Sequence, residues 1–152
     1  MSESPERDTF RQVVLFLVDR APDKRLGVTK LWKLVYYVDV MHVEQFGRPV
    51  TGIRFTKERH GPVPETGSVL LDRLAGEKVL ALEKVRRFEH YQLLCRALVL
   101  PTLHGFDFSE RAILEEVALD WMQATTTQLE AAIRESRAWK AVSYGEGLPV
   151  AP

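Results

Sequence analysis

The segment between Thr29 and Phe46 constrains the fold more than any other, because it is apolar around most of a helix. Two adjacent stripes at helical spacing contain its apolar residues, which are Leu31, Trp32, Leu34, Val35, Tyr36, Val38, Val40, Met41 and Val43. A helix that is apolar on most sides must be covered on most sides. The pattern predicts a central buried helix over about residues 29–46, capped by Thr29 and stopped by a left-handed Gly47. Its narrow polar edge contains Lys30, Lys33, Tyr37 and Glu44.

The flanking segments predict five to six helices in total. A first helix begins at Pro5 after a capping Ser4 and ends before Pro22. Further helices are expected after Pro64, after Ser109, after Thr125 or Thr127, and around Trp139.

Three segments have the alternation of β-strands, at residues 50–57, 79–85 and 90–100. The last two predict a hairpin, which the first is expected to join in a small antiparallel sheet of about three strands. Residues 60–64 contain two prolines and a glycine, and predict a rigid bent loop outside regular structure. The fold class is therefore α+β and predominantly helical, with an all-helical core.

The chain has the size and composition of one domain. It contains 152 residues, of which 45% are hydrophobic, enough to form a core without disulfides or metals. We expect one domain over residues 1–145 and a flexible tail at 146–152, which is rich in glycine and proline. No signal peptide and no apolar run of spanning length is recognisable, so a cytoplasmic location is expected.

Charge and reactive residues give few signs of chemistry. The 21 basic and 21 acidic residues balance, which argues against nucleic-acid binding through bulk charge. The four histidines are scattered singly, the one cysteine is expected to be buried, and no phosphate-binding glycine loop is present. The sequence predicts no enzyme activity, no metal and no cofactor.

Asp39 is the unusual polar residue, because it lies between Val38 and Val40 in the predicted buried helix. A buried carboxylate needs a partner. A salt bridge from Lys57, Arg59 or His60 is the favoured interpretation, and a binding pocket is the alternative. The three candidate cations are Lys57, Arg59 and His60.

Three ordered blocks of sequence carry a family resemblance: TKLWKLVYYVD at residues 29–39, FGRPVTG at 46–52 and RHGPVP at 59–64. With them, the run from residue 28 to 74 resembles the Panacea domain family of SocA-like antitoxins and phage-associated GepA-like proteins. The family often ends in a helix with a histidine shortly before a tryptophan. Trp139 matches that tryptophan, and the histidine is absent here.

The resemblance implies an antitoxin-like protein that neutralises a partner toxin by protein–protein binding. It also implies an ATP-dependent protease as a second partner, if the chain acts as a proteolytic adaptor. The oligomeric state is left open between monomer and dimer. The partner-binding residues expected from the shared blocks are Lys30, Tyr36, Asp39, Arg59, His60, Gly61, Pro62 and Val63.

Two other functions compete with partner binding. Basic residues lie next to aromatic ones at Trp32 and at Phe88, which is the basis for a DNA-associated regulator or a phage-related accessory protein. A buried helix with a solvated polar edge explains the first cluster better, and a charged hairpin tip explains the second better. A small enzyme would need Asp39 and His60 within hydrogen-bond reach of each other. A stiff loop at Gly61–Pro64 suits binding, because it loses little entropy, but it also suits a purely structural role in fixing the angle between the preceding strand and the third helix.

Overall fold

The computed structural model describes residues 5–151, with side chains from residue 8 onward, and shows an α+β fold that is mainly helical. Its α-helices are α1 (Pro5–Arg20), α2 (Val28–Phe46), α3 (Gly67–Gly76), α4 (Phe108–Glu116), α5 (Thr126–Arg134) and α6 (Arg137–Ala141). A π-helical turn at Val117–Trp121 continues α4. The predicted fold class is confirmed, and the proposed cap Ser4 lies outside the described residues.

The central buried helix is confirmed as α2. Every residue from Leu31 to Asp39 is buried, because α1, α4, α5 and strands from both sheets pack around it. Gly47 ends the helix with a φ of +83°, as the sequence predicts. The start differs, since Gly27 precedes the first turn and Thr29 lies inside the helix. No helix in the described range is both long and apolar enough to cross a bilayer.

The strands form two separate three-stranded antiparallel sheets. They are β1 (Arg25–Gly27), β2 (Phe55–Glu58), β3 (Gly61–Pro64), β4 (Leu80–Arg87), β5 (His90–Ala97) and β6 (Gly147–Leu148). One sheet has the order β1-β5-β4 and the other β3-β2-β6. The β4–β5 hairpin is confirmed, but the prediction that the 50–57 segment joins it is wrong. Instead β1 pairs with β5, and buried Leu26 faces buried Cys95 across that pair.

The predicted loop at residues 60–64 is wrong in part, because Gly61–Pro64 is the edge strand β3. Arg59 and His60 form a two-residue turn, and the pairs beyond it are Glu58–Gly61 and Lys57–Pro62. In this register the backbone nitrogens of Pro62 and Pro64 face away from β2. Their missing N–H groups therefore cost no ladder hydrogen bond, and prolines are tolerated at such an edge.

The core is not all-helical, because strand residues complete it. Phe55, Leu80 and Cys95 are each at most 1% exposed and belong to the same hydrophobic cluster as the helices. At the chain's end, where the sequence predicts a flexible tail, Leu148 is buried and pairs with Phe55 through β6. The Tyr36 hydroxyl donates a hydrogen bond to the Pro149 carbonyl at 2.7 Å.

We predict that truncating the aromatic side chains of α2 destabilises the whole fold. Trp32 packs on Phe10, with ring centroids 6.1 Å apart, and Tyr36 meets Phe55 edge to face at 5.1 Å. Trp32→Ala and Tyr36→Ala should each lower the free energy of unfolding by about 3–5 kcal/mol.

Urea denaturation followed by circular dichroism measures this loss. Tyr91→Ala is the matched control, because that ring is 67% exposed, and its effect should stay within about 0.5 kcal/mol. If Trp32→Ala were as mild as the control, α2 would not be the structural centre.

Candidate functional site

Asp39 anchors the chain that follows α2, although its side chain is fully buried. Its Oδ1 accepts hydrogen bonds from the backbone N–H groups of Val50 at 3.0 Å and Thr51 at 2.8 Å. Its Oδ2 accepts from the Thr51 hydroxyl at 2.5 Å. Burial raises the pKa of the Asp39 carboxyl to about 6, and the hydrogen bonds from Thr51 and Val50 oppose that rise.

The predicted salt bridge to Asp39 is therefore wrong. The acceptors of Asp39 are used by backbone and hydroxyl donors that also need a partner. Lys57 lies elsewhere, where its Nζ donates to the carbonyls of Trp139 at 2.8 Å and Val142 at 3.0 Å. The ammonium also sits 4.6 Å from the Trp139 ring centroid, so it stabilises the carboxyl end of α6.

Lys33 is a buried cation without a hydrogen-bond partner in the part of the chain that the structure describes. Its side chain is fully buried, and no acceptor among those residues lies within reach of its Nζ. A Cβ at Gly61 would come within 3.0 Å of the Lys33 Cε, and Gly61 also has a φ of +122°. Glycine at this position thus lets β3 cross directly over the lysine. Desolvation lowers the pKa of the Lys33 ammonium.

Lys33 belongs to a polar stripe of α2 that faces the C-terminal helices, and we call Lys30, Lys33 and Tyr37 the α2 stripe. The Lys30 Nζ donates to the Met122 carbonyl at 2.6 Å, just after the π-helical turn. Tyr37 stacks on Trp121 with ring centroids 4.6 Å apart, and its buried hydroxyl has no hydrogen-bond partner among residues 8–151. The expected solvated polar edge is therefore wrong for Lys33 and Tyr37, because the C-terminal helices cover them.

The structure does not bring all the predicted binding residues to one place. Arg59 and His60 are exposed at the β2–β3 turn, where the Arg134 guanidinium donates to the Arg59 carbonyl at 3.0 Å. Lys30, Tyr36 and Asp39 face inward and bind other parts of the chain.

No contact joins Asp39 to His60 among the described residues, because Asp39 is occupied by Val50 and Thr51. Across residues 8–151, no group of three or more histidine, cysteine, aspartate or glutamate side chains could hold a metal ion. Gly61 and Pro62 are buried, and Val63 alone of the four β3 residues is partly exposed.

Val63 and Pro64 line an open groove between β3, α3 and the β4–β5 hairpin, with a volume of about 430 Å³. We call it the β3 groove. Its lining residues are Val28, Trp32, Thr56, Val63, Pro64, Glu65, Ser68, Leu71, Asp72, Leu82 and Leu93. Of these lining residues, only Val63 belongs to the binding set predicted from the sequence, because the others come from segments far apart in the chain. The apolar residues of the hairpin, such as Leu93, were the one sequence signal that could have indicated the groove.

We predict that Lys33→Met stabilises the protein. Methionine has a similar shape and avoids burying an unpaired charge, so the free energy of unfolding should rise by about 1 kcal/mol or more. Because the pKa of Lys33 is lowered in the folded state, the unfolded chain binds more protons below pH 10.5. Lys33 should therefore contribute a gain in stability as the pH rises toward that value, and Lys33→Met should lack this contribution.

Denaturation of both proteins between about pH 7 and pH 10 measures the difference in their free energies of unfolding. That difference should become smaller as the pH rises. Lys84→Met is the matched control, since Lys84 is exposed on the hairpin. Equal stability of Lys33→Met and wild type at every pH would contradict the prediction, because it would show that the fold compensates the cost of burying the ammonium.

Comparison with known proteins places these features in a family. Neither the curated proteins nor the solved structures gave a match. The family model described as antitoxin SocA-like, Panacea domain, matches residues 31–140, which is more than two thirds of the chain. The match includes α2 from Leu31 onward, the Asp39-bound turn, β3, every lining residue of the β3 groove except Val28, and Trp139. The chain therefore belongs to the SocA-like Panacea domain family of antitoxins.

Proposed function

We propose that this protein neutralises a partner toxin by binding it, and that it catalyses no reaction. The observation that carries the proposal is the family match over residues 31–140. A protein partner follows from the antitoxin-like family, while the identity of that partner has to be found by experiment.

The placement of the shared sequence blocks supports binding over catalysis. Their polar residues are used inside the fold: Asp39 binds the turn, Tyr36 binds Pro149, and Lys33 lies under Gly61. A catalytic group would need access to a substrate and a positioned partner. The framework is instead a rigid support for an outer surface, which is how a binding protein works.

The cellular location, the oligomeric state, the partners and the contact residues are proposals as well. We propose a cytoplasmic protein, monomeric or dimeric, whose first partner is the cognate toxin. In the adaptor version, the chain also presents the bound toxin to an ATP-dependent protease. Lys30, Arg59, His60 and Val63 are the exposed or partly exposed members of the predicted binding set. Lys30 is bound to the Met122 carbonyl, so we propose Arg59, His60 and Val63 as contact residues.

Co-expression with the product of the adjacent gene tests the proposal. Expression of that product alone should arrest growth, and wild-type chain should restore it and co-purify with the product. Trp32→Ala should restore growth less well, because a destabilised fold lowers the concentration of binding-competent protein. The proposal would be contradicted if the product of the adjacent gene were harmless alone and did not co-purify with the chain. The adaptor version would be contradicted if the half-life of the toxin were the same with and without the chain.

A second candidate function, DNA association, is favoured by the tip of the β4–β5 hairpin. Phe88 is 96% exposed there and lies next to Arg86 and Arg87. Tyr91 is also exposed, and the Lys84 ammonium lies 5.8 Å from its ring. Basic and aromatic side chains together suit phosphates and unstacked bases.

An electrophoretic mobility shift at low ionic strength tests this second function. Binding should weaken steeply with added salt and in an Arg86→Glu, Arg87→Glu double variant, because phosphate contacts release counterions. The absence of any shift even at low salt would remove the DNA hypothesis.

A further inference from the structure

The β3 groove is an apolar surface that the described part of the chain leaves uncovered. Trp32 forms its base, and Gly67 lets α3 approach that ring, since a Cβ at Gly67 would come within 2.8 Å of it. Leu82 and Leu93 of the hairpin form the opposite wall, and Leu93 is 39% exposed. A volume of about 430 Å³ falls in the range of ligand sites, on the order of 300–1,000 Å³. It has room for one or two large apolar side chains.

The rim of the groove carries unpaired negative charge. Glu65 and Asp72 both line it, and neither forms an ion pair within the described residues. Elsewhere arginine side chains pair with some of the surface carboxylates, which include Glu77, Glu83, Asp107, Glu110, Glu115 and Glu130. The two rim carboxylates are therefore available to a cation from outside.

The edge of β3 restricts how a partner can bind beside the groove. Pro62 and Pro64 present carbonyl groups but no N–H groups on the side away from β2. A partner strand could not form a full hydrogen-bonded ladder there. Recognition therefore depends on side-chain insertion and not on extension of the sheet.

We infer that the β3 groove binds a segment of the toxin in which a large apolar side chain lies next to a lysine or arginine. The apolar side chain fills the space over Trp32, between Val63 and Leu93. The adjacent cation pairs with Glu65 and Asp72. This inference rests on the proposed function for the identity of the partner, while the chemistry of the groove follows from its own residues.

Selection from a displayed random-peptide library on the purified full-length protein tests the groove without knowledge of the toxin. Enriched peptides should contain a large apolar residue adjacent to lysine or arginine. Leu93→Asp should weaken their binding by about tenfold or more, because it puts a charge into the apolar wall. Leu119→Asp is the matched control, since Leu119 is 63% exposed outside the groove, and it should bind like wild type.

A Glu65→Lys, Asp72→Lys double variant keeps the test independent of folding, because both side chains are exposed. The double variant should bind the basic peptides more weakly by a similar factor, and its melting temperature should equal that of the wild type. The inference is overturned if no peptides are enriched, if they lack basic residues, or if Leu93→Asp and the double variant bind them like wild type.

The co-expression experiment separates this inference from the proposed function. If the peptides behave as expected and the neighbouring gene product neither harms cells nor binds, the groove is a peptide site and the antitoxin function is wrong. If Leu93→Asp loses the peptides but still neutralises the toxin as well as wild type, the toxin binds elsewhere and the inference is wrong.

Discussion

The hydrogen bonds between Asp39 and the Val50–Thr51 backbone fix the direction in which the chain leaves α2. They attach the turn after α2 to the side of the helix, and β2 then leaves in a fixed direction. His42 strengthens the attachment, because its Nδ1 lies 2.5 Å from the Arg48 carbonyl. From this turn the chain can place Gly61 over Lys33 and Gly67 over Trp32. Without the carboxylate, two buried N–H groups would lose their acceptor, and the path of β2 and β3 would be unspecified.

Two buried lysines show how differently the fold treats internal charge. Lys57 reaches two carbonyls and two aromatic rings at the end of α6, so its charge is well compensated. Among the described residues, Lys33 has only the more distant charges of Glu130, which raises the pKa of its ammonium, and Arg134, which lowers it. The packing of the α2 stripe against the C-terminal helices therefore contributes less to stability than an apolar surface of the same shape would.

The sequence predicts the features that depend on local pattern and misses those that depend on pairing across the chain. The apolar circumference of α2 and the left-handed Gly47 are local, and both predictions hold. Strand β1 has three residues, too few to show alternation, and only its pairing with β5 defines it. Pro62 and Pro64 exclude a central strand, but nothing local shows that their nitrogens face a free edge. The β3 groove needs residues from α2, β3, α3 and the hairpin, so its composition follows only from the fold.

The prolines of β3 also bear on how the protein behaves while its groove is empty. An edge strand with one unpaired side, beside apolar side chains, is ordinarily a starting point for cross-β aggregation. Pro62 and Pro64 remove the donors that a second copy would need in order to stack there. The chain can thus keep an open apolar cleft in water without polymerising through that edge.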